Sequence, residues 1–297
     1  MANNKKNLPN TGERMIPEFH ENNLIYGEHL ARYESVIKII KNKKVLDIAS
    51  GSGYGSNLMA KSAKSVEGVD VSEDAVNYST VKYNRKNLNF SVGNASAIPF
   101  KANIFDVVVS FETLEHIDED QNKFLEEIKR VMKKGGKLVI STPNDKVVPP
   151  GNHYHVHELS LAEFSALLKK HFKYVKIYYQ AVSLASYIFD EKTFTSDGDV
   201  EISTSRKYNI NPSDATYFVA VCSDTDKELK FDPKVALSEN WRHIDEKNKF
   251  EYKQKIEKDL VAMAKENEMI KAELATIKKS KVLWLSKRLY KKLKYND

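Results

Sequence analysis

The run Val45-Leu-Asp-Ile-Ala-Ser-Gly-Ser-Gly-Tyr-Gly55 concentrates residues suited to holding a ligand. An apolar segment reaches Asp47, glycines follow at 51, 53 and 55, and a helix is expected to start near Ser56. Glycine lets the backbone turn tightly and lets a ligand approach its amides, while a helix N-terminus favours an anionic group. Nineteen residues after Gly51 the next apolar segment ends in Asp70, where a carboxylate can take both hydroxyls of a ribose. A tight strand-to-helix turn would account for a lone G-x-G; the spacing to Asp70 and the elements that follow favour a ligand site. Gly-Ser-Gly-Tyr-Gly departs from G-x-G-x-x-G, and the acid at 47 suits a ligand carrying an ammonium better than a pyrophosphate.

A second constellation is Glu112, Glu115 and His116. On a helix, positions i, i+3 and i+4 share a face, and carboxylates with imidazole can hold a divalent ion. Three of the eight histidines, His153, His155 and His157, crowd one short segment downstream and could complete such a set. The same acids can simply cap or salt-bridge, and the metal-free reading is adopted here. Histidine near neutral pH suits proton removal, so His116, with Glu112 and His155, is a candidate for acid-base work. The plainer roles are a helix-start histidine bonded to backbone and, for the cluster, a solvated loop.

These residues need a scaffold, and hydrophobic patterning supplies one. Apolar, β-branched runs at 45–49, 65–70, 88–92, 105–111 and 137–142 alternate with helical spacing such as Phe124, Leu125, Ile128, Val131 and Met132. Strand and helix in alternation imply an α/β fold with a parallel sheet covered on both faces. Segments 174–180 and 216–223 add two strands, expected as an antiparallel pair at the sheet edge. Upstream, Leu30, Tyr33, Ile37 and Ile40 share one face of a lead-in helix, and Ser160 with Glu163 opens another as a capping pair. The organisation expected is a lid and lead-in helix over 1–43, the main domain over 44–224 with an insertion at 184–214, and a linker over 225–244. A long helix over 245–280 and a basic amphipathic tail over 281–297 follow. In the long helix Ile256, Leu260, Met263, Ile270, Leu274 and Ile277 keep a heptad spacing interrupted at Asn267, which fits a coiled coil or a single docked helix.

Taken together, Val45–Gly55, Gly68–Ser72, Val92–Phe100, Phe105–His116 and Gly135–Ile140 resemble the class I S-adenosylmethionine-dependent methyltransferases, over about residues 11–222. The resemblance implies a Rossmann-like seven-stranded sheet, mostly parallel with the last strand antiparallel. It implies that Asp47 and the Gly51–Gly53 backbone hold the methionine end of S-adenosylmethionine, Asp70 the ribose, and Asn94 with Ala95 the adenine. Ser50, Tyr54, Val71 and Ser110 fall in the same cofactor set. Asn94 stands where an aspartate is usual; its amide oxygen can still face the adenine amino group. Strand four ends in Ser-Phe-Glu-Thr, without the Asn/Asp-Pro-Pro-Tyr/Phe pattern of amino-group methylation, and Cys222 lies inside a strand, so an oxygen acceptor is expected. Thr11–Pro17 and Glu28–Tyr33 resemble a subgroup associated with bacterial surface-polysaccharide synthesis, which implies a sugar hydroxyl on a glycan or glycolipid. A phenol or quinone precursor is the alternative, and a cofactor-binding scaffold with a partner-recruiting C-terminal helix is a third reading.

Composition sets the bounds. With 297 residues, 41% hydrophobic and 30% charged, the chain can bury one substantial core. A single cysteine excludes an intramolecular disulfide and any CxxC site, and with no long apolar run the expected location is cytoplasmic. The net charge of +6 is local: residues 278–297 hold eight bases against Asp297 alone, while the other 277 residues hold 39 bases against 40 acids. Nucleic acid is therefore not the expected partner. The tail instead pairs a face of Val282, Leu285, Leu289 and Leu293 with Trp284, Tyr290 and a cationic rim. That combination suits the anionic inner face of a membrane, with self-association through the preceding helix as another possibility.

Overall fold

A computed structural model describes residues 8–9, 14–20, 24–117, 120–147, 154–182, 211–226, 228–232, 234, 265, 269–272, 274, 276 and 281–294. Two compact units divide the chain, Met1–Ser238 and Glu239–Asp297.

The first unit is built on seven strands: β1 (Lys44–Ile48), β2 (Ser65–Asp70), β3 (Leu88–Val92), β4 (Phe105–Ser110), β5 (Met132–Pro143), β6 (Tyr174–Gln180) and β7 (Tyr217–Ser223). They form one sheet in the order β3-β2-β1-β4-β5-β7-β6. The β1, β2, β3, β4 and β5 pairs are parallel, whereas β7 lies antiparallel between β5 and β6. The expected antiparallel pair is present, with one refinement: β6 itself runs parallel to β5, and β7 alone is reversed. Helices are α1 (Pro17–His20), α2 (Leu24–Ser35), α3 (Ile37–Ile40), α4 (Tyr54–Met59), α5 (Glu73–Lys82), α6 (Gln121–Val131) and α7 (Leu161–His171).

Two-residue periodicity sorts the strand side chains into two cores. Leu46, Ile48, Val108, Leu138, Ile140, Ala220 and Cys222 point to one face, under Phe124, Leu125 and Ile128 of α6 and Phe164 and Leu168 of α7. Val45, Val107, Val109, Val139, Val219 and Val221 point to the other, under Tyr33, Val36, Ile40 and Met59. Each fully buried Leu or Val contributes roughly 1.5–3 kcal/mol, so covering both faces is what keeps this sheet flatly apolar in sequence. Burial pushes the Cys222 thiol well above its ordinary range, leaving an inert packing group.

Several boundaries move for identifiable reasons. The helix expected to start near Ser56 starts at Tyr54, because Gly53 takes a φ of +76° and serves as its N-cap. The lead-in helix breaks at Val36 into α2 and α3, so Val36 is fully buried and Ile37 only partly. Met132, expected on the α6 stripe, is the first residue of β5. The Ser160–Glu163 capping box is formed in full.

Of the second unit, α8 (Lys281–Lys294) is helical as expected, with Trp284, Leu285, Leu289 and Tyr290 exposed. Ile270 and Leu274 are helical and exposed, while Ile256, Leu260, Met263, Asn267 and Ile277 lie outside the described residues, as does most of the 184–214 insertion. No helix among the described residues is long and apolar enough to cross a membrane.

Candidate functional site

In the order β3-β2-β1-β4 the chain reverses direction of travel across the sheet between β1 and β4, which opens a crevice beyond their C-terminal ends. The residues following these two central strands carry unusual backbone: Ala49 has φ +58° and Glu112 has φ +52°. Non-glycine residues in this region store strain that the surrounding packing must hold.

The loop after β1 is fastened from several sides. The Gly51 N–H donates to Asp70 Oδ2 at 2.7 Å, the Ser50 N–H to the Val69 carbonyl at 2.9 Å, and Ser52 Oγ to the Met15 carbonyl at 2.7 Å. Asp70 Oδ1 accepts the Ser72 N–H at 2.9 Å and lies 4.0 Å from Arg14 Nη2. Gly53 cannot be replaced by a larger residue, since its φ is +76° and a Cβ would stand 2.6 Å from Ser79 Oγ. At Gly55 a Cβ would fall 2.0 Å from the Tyr33 ring, which packs edge-on to Tyr54 and Phe111.

Among the described residues, three buried polar atoms beside this crevice have no hydrogen-bond partner: Asp47 Oδ1, Ser50 Oγ and Ser110 Oγ. Buried polar groups are nearly always satisfied, so three orphans around one crevice mark a place where ligand atoms complete the network. Asp47 is 1% exposed; its Oδ2 accepts Ser56 Oγ–H at 2.5 Å. Burial, opposed by the Ser56 hydrogen bond and reinforced by the Asp70 charge, lifts its pKa from 3.8 to about 7. A ligand ammonium beside Oδ1 would favour the ionised form.

The other expected cofactor residues are spread around the same edge. Tyr54 is half-buried, its hydroxyl 2.9 Å from His29 Nδ1. Val71 is 72% exposed just past Asp70, an apolar surface at the rim. Asn94 is exposed beside half-buried Ala95, and its Oδ1 accepts the Ser96 N–H at 2.7 Å in an Asx turn. The amide oxygen thus braces its own loop and keeps one lone pair for another donor.

The E-x-x-E-H segment is not the continuous helix expected for it. Glu112, with positive φ, stands outside any helix, and only Leu114–His116 forms a 3-10 turn. Glu112 turns to Ser141, whose Oγ donates to its Oε1 at 2.6 Å. Glu115 is buried, and desolvation followed by the Glu112 charge holds its carboxyl well above the usual range. His116 Nδ1 lies 2.8 Å from the Tyr154 carbonyl, which can only accept, so Nδ1 is the donor there and Nε2 is the nitrogen left to face other groups, 4.0 Å from Glu115 Oε1. His155 sits 4.9 Å from it ring to ring, with Nδ1 2.7 Å from Glu158 Oε1. Glu115, His116 and His155 bring one ligand atom each within 4.8 Å of one another, a spacing compatible with a divalent ion. Glu112 is not in that set, His157 is exposed beside Glu163, and His153 lies outside the described residues.

Sequence reasoning passed over Ser56, Tyr33 and Arg32. Tyr33 stands on the apolar face of the lead-in helix, and burial followed by the Asp47 charge pushes its hydroxyl pKa well up; a tyrosine on an otherwise aliphatic stripe is the available signal. A cavity of about 670 Å³ lined in part by Asn144, Ser165, Ile177 and Phe218 lies on the α7 side of the sheet, and none of the loop residues above lines it.

Residues 46–140 match the family described as a methyltransferase domain. A probable S-adenosylmethionine-dependent methyltransferase of Mycolicibacterium smegmatis is 36% identical over 167 residues, 54% of this chain and 64% of its own. A ubiquinone biosynthesis O-methyltransferase of Coxiella burnetii is 32% identical over 107 residues, 35% of this chain and 45% of its own. The chain thus spans less than two thirds of the length of these curated relatives. Among solved structures, a Thermotoga maritima S-adenosylmethionine-dependent methyltransferase aligns with a TM-score of 0.50 at 19% identity, covering 72% of this chain and 97% of that one. That likeness speaks to the fold.

Proposed function

We propose that this chain, whose residues 46–140 match a methyltransferase-domain family, is an S-adenosylmethionine-dependent methyltransferase acting on an oxygen acceptor, a sugar hydroxyl of a glycan or glycolipid precursor. The observation that carries the reading is the set of orphaned buried atoms, Asp47 Oδ1, Ser50 Oγ and Ser110 Oγ, around the crevice between β1 and β4. S-adenosylmethionine supplies an electrophilic methyl on a sulfonium. Asp47 is suited to its ammonium, the Gly51–Gly53 backbone to its carboxylate, Asp70 to the ribose, and Asn94, Ala95 and Val71 to the adenine. Positioning the acceptor in line supplies much of such a catalysis, and Nε2 of His116 takes the hydroxyl proton.

Glu115, His116 and His155 would hold a divalent ion if one takes part, and a phenol acceptor is the second reading, favoured by that cluster and by the ubiquinone O-methyltransferase relative. The exposed apolar and cationic surfaces of α8 support attachment to an anionic membrane, where each base near the surface contributes about 1 kcal/mol. Calorimetry with S-adenosylmethionine tests the central claim. Wild type should bind, and Asp70→Ala should bind at least tenfold more weakly, since the charged acceptor that braces Gly51 and faces the ribose is removed. Equal affinity in both would overturn the assignment of Asp70.

A further inference from the structure

Arg32 on α2 is used by none of these roles. Its side chain is 2% exposed, one of the largest fully buried in the first unit. Nη1 donates to Gln180 Oε1 at 2.8 Å, and the guanidinium carbon stands 4.5 Å from the centroid of the Tyr217 ring. Those two contacts fix the plane and its rotation. Nε and Nη2, the remaining edge, are buried and have no hydrogen-bond partner among the described residues. That edge presents two parallel N–H bonds at the spacing of the two oxygens of a carboxylate or phosphate.

Guanidinium stays protonated, and a buried cation whose donors are unmatched destabilises the fold that carries it. Neighbouring acids favour the charge but leave these donors unmatched. The Glu28 carboxylate accepts the Tyr217 hydroxyl and Glu112 accepts Ser141, and both act on Arg32 through their field rather than by bonding its open edge. Placement says what the edge serves. Gln180 closes β6, Tyr217 opens β7 and Glu112 follows β4, so the contacts of Arg32 lie on the β4-β5-β7-β6 half of the crevice, while its charge also reaches Tyr54 at the edge of the cofactor loop. The cofactor set stands mainly after β1, β2 and β3, where Arg14 is the neighbouring cation.

We propose that Arg32 is an acceptor-recognition residue, whose Nε and Nη2 take a carboxylate or phosphate carried by the acceptor. This deepens the methyl-transfer reading and rests on it: the acceptor is an acidic sugar, a uronate or a sugar phosphate, rather than a neutral one.

The test uses the full chain saturated with S-adenosylhomocysteine and follows thermal unfolding with glucuronate, glucose 1-phosphate or neutral glucose. Wild type should gain several degrees in Tm with at least one acidic probe and none with glucose; which probe acts tells carboxylate from phosphate. Arg32→Met, an apolar chain of similar length, should lose the acid-dependent gain measured against its own Tm in buffer. Arg32→Lys should lose that gain as well, since an ammonium cannot present two parallel donors. The basic α8 is common to all three proteins, so diffuse binding of anions there cancels. A wild type indifferent to both acids, or an acid-dependent gain that survives in both variants, would overturn the proposal. So would Arg32→Met weakening S-adenosylmethionine binding tenfold or more in calorimetry, which would assign the edge to the cofactor carboxylate. Failure of wild type to bind S-adenosylmethionine at all would instead remove the underlying reading, whatever the acids do.

Discussion

Replacing Asp47 by asparagine should stabilise the ligand-free protein and cripple its binding of an ammonium-bearing cofactor. In the fold this carboxyl is 1% exposed and its pKa is lifted to about 7, whereas in the unfolded chain it ionises near 3.8. Between those two values the unfolded state has released a proton that the folded state keeps. Stability therefore falls as pH rises through that window and levels off above about 7. A gap of about three pH units at about 1.4 kcal/mol each comes to up to about 4 kcal/mol. Asparagine keeps the shape and the acceptor for Ser56 without the charge. Relative to wild type it should gain up to that amount between pH 4 and pH 8, a Tm difference of about 10 °C for a domain of this size. S-adenosylmethionine should reverse the order: its ammonium stabilises ionised Asp47, so wild-type affinity climbs through pH 7. The asparagine variant should bind roughly ten- to a hundredfold more weakly, the worth of one charge-assisted bond. Thermal unfolding from pH 4 to pH 8, with and without cofactor, reads both effects. Parallel Tm profiles for the two proteins in the absence of cofactor would refute the assignment of a neutral buried Asp47.

Three other outcomes are expected. His116→Ala should lower turnover by roughly 10²–10⁴ with cofactor affinity unchanged in calorimetry, and chelator should leave wild-type turnover intact; restoration of a chelated enzyme by Mn²⁺ would instead assign the Glu115, His116 and His155 cluster to a metal. Gly55→Ala should cost at least 1–3 kcal/mol in denaturant unfolding, because its Cβ would fall 2.0 Å from the Tyr33 ring. Full-length protein carrying Leu285→Glu and Leu289→Glu on exposed α8 positions should lose co-sedimentation with phosphatidylserine vesicles that wild type shows, with cofactor affinity equal in both.

What the sequence alone determined is whatever depends on near neighbours in the chain. Short β-branched and aromatic runs located β2, β3 and β6 to the residue, because side-chain shape favours a pleated strand locally, whatever the partner strand. The capping pair at Ser160 and Glu163 and the spacing from Asp47 through Gly51 to Asp70 were legible for the same reason: caps and glycine turns act within a few residues, and one βαβ unit has a nearly fixed length. Tertiary structure decided the rest. No pattern within segment 217–223 says that it slides between β5 and β6, since both flanks offer the same apolar surface and only the long return of the chain selects one. E-x-x-E-H looked like one helical face, but a positive φ at Glu112 sent that acid to Ser141 and left Glu115 with His116 and a histidine some forty residues away. Nothing near Arg32 in the chain marks it, and only packing against Gln180 and Tyr217 buries it with Nε and Nη2 unmatched. Burial of a polar group depends on what the rest of the chain lays over it, and that information resides in contacts between segments far apart in sequence.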